Sequence, residues 1–222
     1  MARGLLVCIV GIDGSGKTTL ANSVVESLNS KGFQFSYVHN RYNPMILRPF
    51  IFIARKLFLR NTDVYTDYYG DSNAKRSLLR RQGINLFYQL LLICDYYVQT
   101  IFTIIIPICR GKNIVCDRYI LDTVCTDLAV DLSYDKDETK KVLKQCYHFF
   151  PEPDLMFLVD IPEEVAYARK TDTPSVSYLK DRRHIYLNLC DSFPVVRLNG
   201  LMSKQELEMT VKNLILGKVK YS

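Results

Sequence analysis

Residues 11–19 read Gly11-Ile12-Asp13-Gly14-Ser15-Gly16-Lys17-Thr18-Thr19. The apolar run Leu5 to Val10 comes before them, and Leu20, Val24, Val25 and Leu28 follow at helical spacing. The stretch is therefore the turn between a buried strand and an amphipathic helix, ending near Lys31 and Gly32. Gly11, Gly14 and Gly16 allow the main chain to wrap an anion closely, with amides and the helix amino terminus facing it. Lys17 is placed to reach β and γ phosphates and Thr18 to hold magnesium. The pattern G-x-x-x-x-G-K-[ST] in this strand-to-helix context predicts a nucleoside triphosphate site, with Asp13, Ser15 and Thr19 completing the loop.

Outward from this loop, short apolar runs recur at Phe33 to Val38, Asn113 to Cys116, Leu155 to Asp160 and Val195 to Leu198. Helical patterns lie between and after them, at Ile84 to Ile106, Asp137 to Phe149, Pro162 to Lys170 and Ser203 to Leu216. Strands alternating with helices predict an α/β fold: a five-stranded parallel sheet flanked by helices in three layers, of the P-loop NTPase type. The 222 residues suit a single domain. The excess of Lys plus Arg over Asp plus Glu, 29 against 23, fits a small polyanionic ligand and excludes little. Basic residues are scattered with no aromatic-basic platform, so nucleic acid is not an expected partner.

The seven cysteines, Cys8, Cys94, Cys109, Cys116, Cys125, Cys146 and Cys190, form no C-x-x-C pair and read as reduced core thiols of a cytoplasmic protein without a zinc site. Met1 to Val10 reads as a strand rather than a signal peptide. Asn85, Gln89, Asp95 and Gln99 interrupt the apolar stretch ending at Cys109, which predicts a long helix buried in the core rather than a membrane span. Phe50, Ile53, Ala54, Leu57 and Phe58 fall on one helical face among Arg48, Arg55, Lys56 and Arg60. This basic amphipathic helix is expected against the protein's own core or a second subunit, ahead of a membrane surface.

The second carboxylate narrows the chemistry. Asp117 closes the third strand, in position to complete a magnesium site with Thr18. Arg118 follows it where a motor ATPase would carry a water-polarising glutamate, and no N-K-x-D for reading guanine is present. A small-molecule kinase is left. His39-Asn40-Arg41-Tyr42 offers no carboxylate as a general base for a neutral hydroxyl. An arginine there suits an acceptor that is already anionic, a nucleoside monophosphate rather than a nucleoside.

The phosphate loop, Asp117-Arg118-Tyr119, Pro153-Asp154-Leu155 and Asp160-Ile161-Pro162-Glu163-Glu164 together resemble the thymidylate kinase family over nearly the whole chain. Residues of about 43–83 stand out as an enlarged helical insert. The resemblance implies ATP, Mg2+ and dTMP as the first acceptor to test, with dTDP as product and a homodimer as the assembly. It also implies that Asp13 meets the acceptor sugar, that Arg118 and Arg41 bind its phosphate, and that Tyr178 lies near its base. A lid of about 169–182 would bring an arginine over the transferring group, Arg169 first among the candidates Arg169, Arg182 and Arg183, the last two reading equally as surface charges. Where the family carries a base-reading arginine on the long helix, alignment back from Asp117 places Tyr96 or Tyr97, either of which would then contact the base. Two other readings stay open: a kinase of another phosphorylated or lipid-linked acceptor at a membrane surface, and a nucleotide-binding regulatory protein without turnover.

Overall fold

The computed structural model describes residues 3–45, 48, 49, 52, 85–170 and 172–219. The expected amphipathic helix around Phe50 to Phe58, most of the 43–83 insert and Thr171 of the lid lie outside the described residues. The strands are β1 (Leu6–Val10), β2 (Phe35–His39), β3 (Asn113–Asp117), β4 (Leu155–Asp160) and β5 (Val195–Asn199). They form one sheet in the order β2-β3-β1-β4-β5, every neighbouring pair parallel. The expected five-stranded parallel sheet is present, each strand within two residues of its expected bounds.

Both faces of the sheet are covered, which is why β1 reads as an unbroken apolar run: all its residues are buried. Leu6, Cys8 and Val10 belong to one core, and Val7 and Ile9 to the other. The second core is closed by α1 (Lys17–Asn29), through Leu20, Ala21, Val24 and Leu28, and by Leu207, Val211 and Ile215 of the carboxy-terminal helix. The first core collects the long helix α2 (Asn85–Thr100) and the π-helical turn Ile101–Ile105 that runs into α3 (Ile106–Cys109). After β3 the chain forms α4 (Ile120–Thr123), a second π-helical turn Val124–Leu128, α5 (Ala129–Leu132) and α6 (Lys136–Cys146), none but the last suggested by apolar periodicity. Three further helices, α7 (Glu163–Arg169), α8 (Val176–Cys190) and α9 (Lys204–Val219), complete the three layers.

The expectation of a fully buried long helix is corrected. Leu92, Tyr96, Ile104 and Ile108 point inward, while Leu86, Phe87, Leu90 and Phe102 are more than half exposed. The stretch Asn85–Cys109 is long and apolar enough to cross a membrane by length and composition, and a third of its most apolar window is buried. Its polar side chains face the protein: Gln89 accepts from Tyr134 Oη, and Asp95 accepts from the Met45 amide at 2.9 Å. The reading of all cysteines as core thiols is corrected likewise, because Cys94 and Cys109 are exposed.

Tyr96 is fully buried; its hydroxyl donates to the Asn40 carbonyl at 2.8 Å and accepts from Asn40 Nδ2 at 2.9 Å. Its ring stacks on Phe150 at 5.6 Å, and Tyr97 and Tyr119 meet the same ring edge-on. This aromatic cluster fixes the long helix against the loop after β2. Phe150 is 1% exposed and its neighbour Phe149 is 69% exposed. Phe150→Ala should lower the unfolding free energy by ~3–5 kcal/mol in urea titration, whereas Phe149→Ala should change it by less than ~0.5 kcal/mol.

Candidate active site

The carboxyl ends of β1, β2 and β3 bring the charged residues together. The loop after β1 is pinned from above: a Cβ on Gly14 would lie 2.3 Å from the Ala166 carbonyl of α7, and Gly14 has φ +82°. Only glycine fits both that contact and that backbone conformation. The packing seats α7 on the loop, so Arg169 and Lys170 leave the helix directly beside it. Asp13, Lys17, Thr18, Arg118, Arg169 and Lys170 all line one cavity of about 350 Å³. A second cavity, of about 230 Å³, shares Gly16, Thr19 and Arg169 with it and is lined as well by Ser15, Gly200 and Met202.

Lys17 is 4% exposed, and its ammonium donates to the Ile12 carbonyl at 2.6 Å. Burial, aided by the neighbouring Arg118 charge and opposed by Asp13, Asp122 and Asp117, lowers its pKa to about 8. Thr18 Oγ1 donates to Asp117 Oδ2 at 2.5 Å. Asp117 is fully buried, and its other oxygen, Oδ1, is buried with no hydrogen bond among the described residues. A hydroxyl beside a carboxylate with one unused oxygen is a hard, oxygen-only donor pair, which fits magnesium with its retained waters.

Arg118 is 7% exposed and holds a left-handed backbone with φ 71°. A non-glycine residue there costs about 1–3 kcal/mol and persists only where its surroundings enforce it. The enforcement is visible: its guanidinium pairs with Asp13 and lies 3.9 Å from Asp122, and its amide donates to the Ile9 carbonyl at 3.1 Å. Burial disfavours its charge, but Asp122 and Asp13 more than compensate and raise its pKa. Its Nε is buried with no acceptor among the described residues. Burial pulls the Asp13 carboxyl upward; the charges of Arg118, Lys17, Arg41 and Lys170 outweigh that pull and hold it well below the usual carboxylate range.

Arg41 follows β2, exposed, with its carbonyl held by Gln99 Nε2 at 2.8 Å and its side chain in no ion pair among the described residues. It lines an open cavity of about 570 Å³ with His39 and Tyr42. Tyr178 on α8 is half-buried beneath the Arg182 guanidinium, whose carbon sits 3.4 Å from the ring centroid. Of the two readings open for Arg182 and Arg183, lid cation and surface charge, the second is corrected. Arg182 is 8% exposed and donates to the Thr126 carbonyl, while Arg183 bridges Asp160 at 2.7 Å and Glu163 at 2.8 Å. Tyr96 is corrected too, because a ring with no exposure and a saturated hydroxyl cannot stack on a ligand; Tyr97, partly buried, packs edge-on against Phe150.

The sequence reading missed Lys170, Asp122, Tyr37 and His39. Lys170 Nζ lies 3.9 Å from Asp13 and 3.3 Å from Asp172. Its only signal was a second basic residue beside Arg169. Asp122 pairs with Arg118 and accepts from Tyr186 Oη and the Tyr119 amide. Its place four residues after Arg118 was the available clue.

No protein-family model matches the sequence. Among curated proteins the chain is similar to "Probable thymidylate kinase" of Pyrococcus horikoshii, 26% identical with 96% of each chain covered. It is likewise similar to "Thymidylate kinase" of Desulfotalea psychrophila, 27% identical with 96% of each covered. "Probable thymidylate kinase 1" of Saccharolobus solfataricus is 26% identical, with 93% of this chain and 95% of that protein covered.

Because the ammonium of Lys17 and not the free amine attracts phosphate, nucleotide affinity should fall as pH rises through about 8. Calorimetric titration of a non-hydrolysable ATP analogue between pH 7 and pH 9.5 checks this, with proton uptake on binding above the midpoint; a flat affinity would contradict the depressed value.

Proposed function

We propose that the chain, similar over 93–96% of its length to thymidylate kinases, is a member of that family and an ATP-dependent phosphotransferase that moves the γ-phosphoryl group of ATP to a nucleoside monophosphate, with dTMP the first acceptor to test and dTDP the product. The observation that carries the reading is Arg118: a buried guanidinium whose Nε–H has no acceptor among the described residues, on the wall of the same cavity as Lys17 and the phosphate loop. A cation held this firmly, with hydrogen-bonding capacity left over, suits a second phosphate.

In this reading the loop amides of residues 13–18 cradle the β and γ phosphates, and the cavity reaching Gly200 and Met202 takes the donor base. Arg118 and Arg41 hold the acceptor phosphate. One of its oxygens forms the bond to the γ-phosphorus as the bond from that phosphorus to the β–γ bridging oxygen breaks, leaving ADP and a nucleoside diphosphate. Lys17, Arg169 and Lys170 neutralise the charge on the transferring group, and Asp13 orients Arg118 and accepts from the acceptor sugar. Thr18 and Asp117 would hold Mg2+, which when bound neutralises charge shared between the β and γ oxygens. No proton abstraction is needed, because the attacking oxygen is already anionic.

A panel of nucleoside monophosphates with ATP, scored by ADP release, tests the assignment. Lys17→Ala should reduce turnover by at least ~100-fold while the protein stays folded, a loss of about 2.7 kcal/mol of transition-state stabilisation. Full activity in that variant, or no ADP release with any acceptor, would overturn the reading. The second outcome would leave a nucleotide-binding regulatory protein.

We also propose a cytoplasmic homodimer joined through the exposed apolar side chains Leu86, Phe87 and Leu90 of α2 and Phe102 of the π-helical turn that follows it. Sedimentation velocity should give a dimer for the native chain and a monomer for Phe102→Glu. The same side chains give the second reading its support, a lipid-linked acceptor at a membrane. A protein that floats with anionic vesicles and stays monomeric in solution would replace the dimer with that reading.

A further inference from the structure

Asp117 is held in a one-sided way. β2 and β3 run in parallel register with His39 opposite Asp117 and Tyr37 opposite Val115. Residues 37 and 39, two apart on one strand, share a sheet face. Both reach the same carboxylate oxygen: Tyr37 Oη donates to Asp117 Oδ2 at 3.2 Å, and His39 Nδ1 lies 3.0 Å from it. Thr18 Oγ1 donates to that oxygen as well, at 2.5 Å, while Oδ1, also buried, accepts nothing from the described residues.

A fully buried carboxylate needs compensating donors, but nothing in that requirement places all three on one oxygen. Concentrating them on Oδ2 fixes the carboxylate torsion and leaves Oδ1 as the single unused acceptor beside the Thr18 hydroxyl. Outer-shell partners commonly orient a metal-binding carboxylate in this manner.

We propose that Tyr37 and His39 are positioning residues, clamping Asp117 through Oδ2 so that Oδ1 faces the hydration shell of the magnesium that accompanies the nucleotide. The inference rests on the kinase reading above. It assigns β2 a task separate from that of Arg41, the acceptor-binding arginine at its end.

The test compares binding of a fluorescent, non-hydrolysable ATP analogue in EDTA and in magnesium, for the native chain and for Tyr37→Phe, His39→Ala and His39→Asn. In the native chain magnesium should tighten binding. Tyr37→Phe and His39→Ala should each reduce that magnesium-dependent gain roughly tenfold with affinity in EDTA unchanged. His39→Asn, whose side-chain N–H can take the place of Nδ1–H, should recover most of it. An unchanged gain in both variants, an equal loss with and without magnesium, or a lowered melting temperature as the only effect would each overturn the clamp and leave the kinase reading intact. A native chain that binds no analogue would overturn the kinase reading and the clamp with it. Tyr37→Phe differs by one oxygen, so it keeps the test decisive should His39→Ala fail to fold.

Discussion

Asp13, Lys17, Asp117, Arg118 and Asp122 are each less than a tenth exposed and lie together at the carboxyl ends of the parallel strands. An isolated ion at that depth is untenable, because desolvation would drive it to its neutral form. Their coexistence depends on mutual pairing. Arg118 stands between Asp13 and Asp122, the cationic charges hold Asp13 ionised, and Asp117 is shared among Thr18, Tyr37 and His39. The arrangement also places charge where water is scarce, so its interaction with an incoming phosphate is strong. The left-handed backbone of Arg118 belongs to the same account, its strain held in place by the contacts that fix its side chain.

The fold was legible because its signals are local. A strand buried on both faces must be continuously apolar, and a phosphate loop must carry glycine at particular offsets, so β1 and the loop are recognisable within a dozen residues. The same holds for β4 and for α7, whose acidic first turn marks its start. The long helix was harder. Its inward stripe, Leu92, Tyr96, Thr100, Ile104 and Ile108, follows a four-residue step, and that spacing already argued for Tyr96 in the core. Alignment by distance from Asp117 carried no information about which helix face a residue occupies, and so placed the tyrosines at a ligand.

The parts of the site that escaped reading are those created by register. Nothing within β2 marks His39 or Tyr37 as neighbours of a carboxylate 78 and 80 positions away; the pairing of β2 with β3 brings them there. Lys170 reaches Asp13 only because α7 sits on Gly14. Arg183 looked like a solvated charge on a helix and proved to join α8 to the end of β4 and the start of α7.

The seating of α7 on Gly14 has a mechanical consequence. With the Ala166 carbonyl at the distance a Cβ would need, no side chain can act as a compressible spacer between helix and loop. Loop and helix therefore meet backbone to backbone, and a push of either toward the other meets no side chain that could absorb it. Arg169 and Lys170 stand at the end of that helix, so their placement over the cleft is set by the backbone seat beneath them.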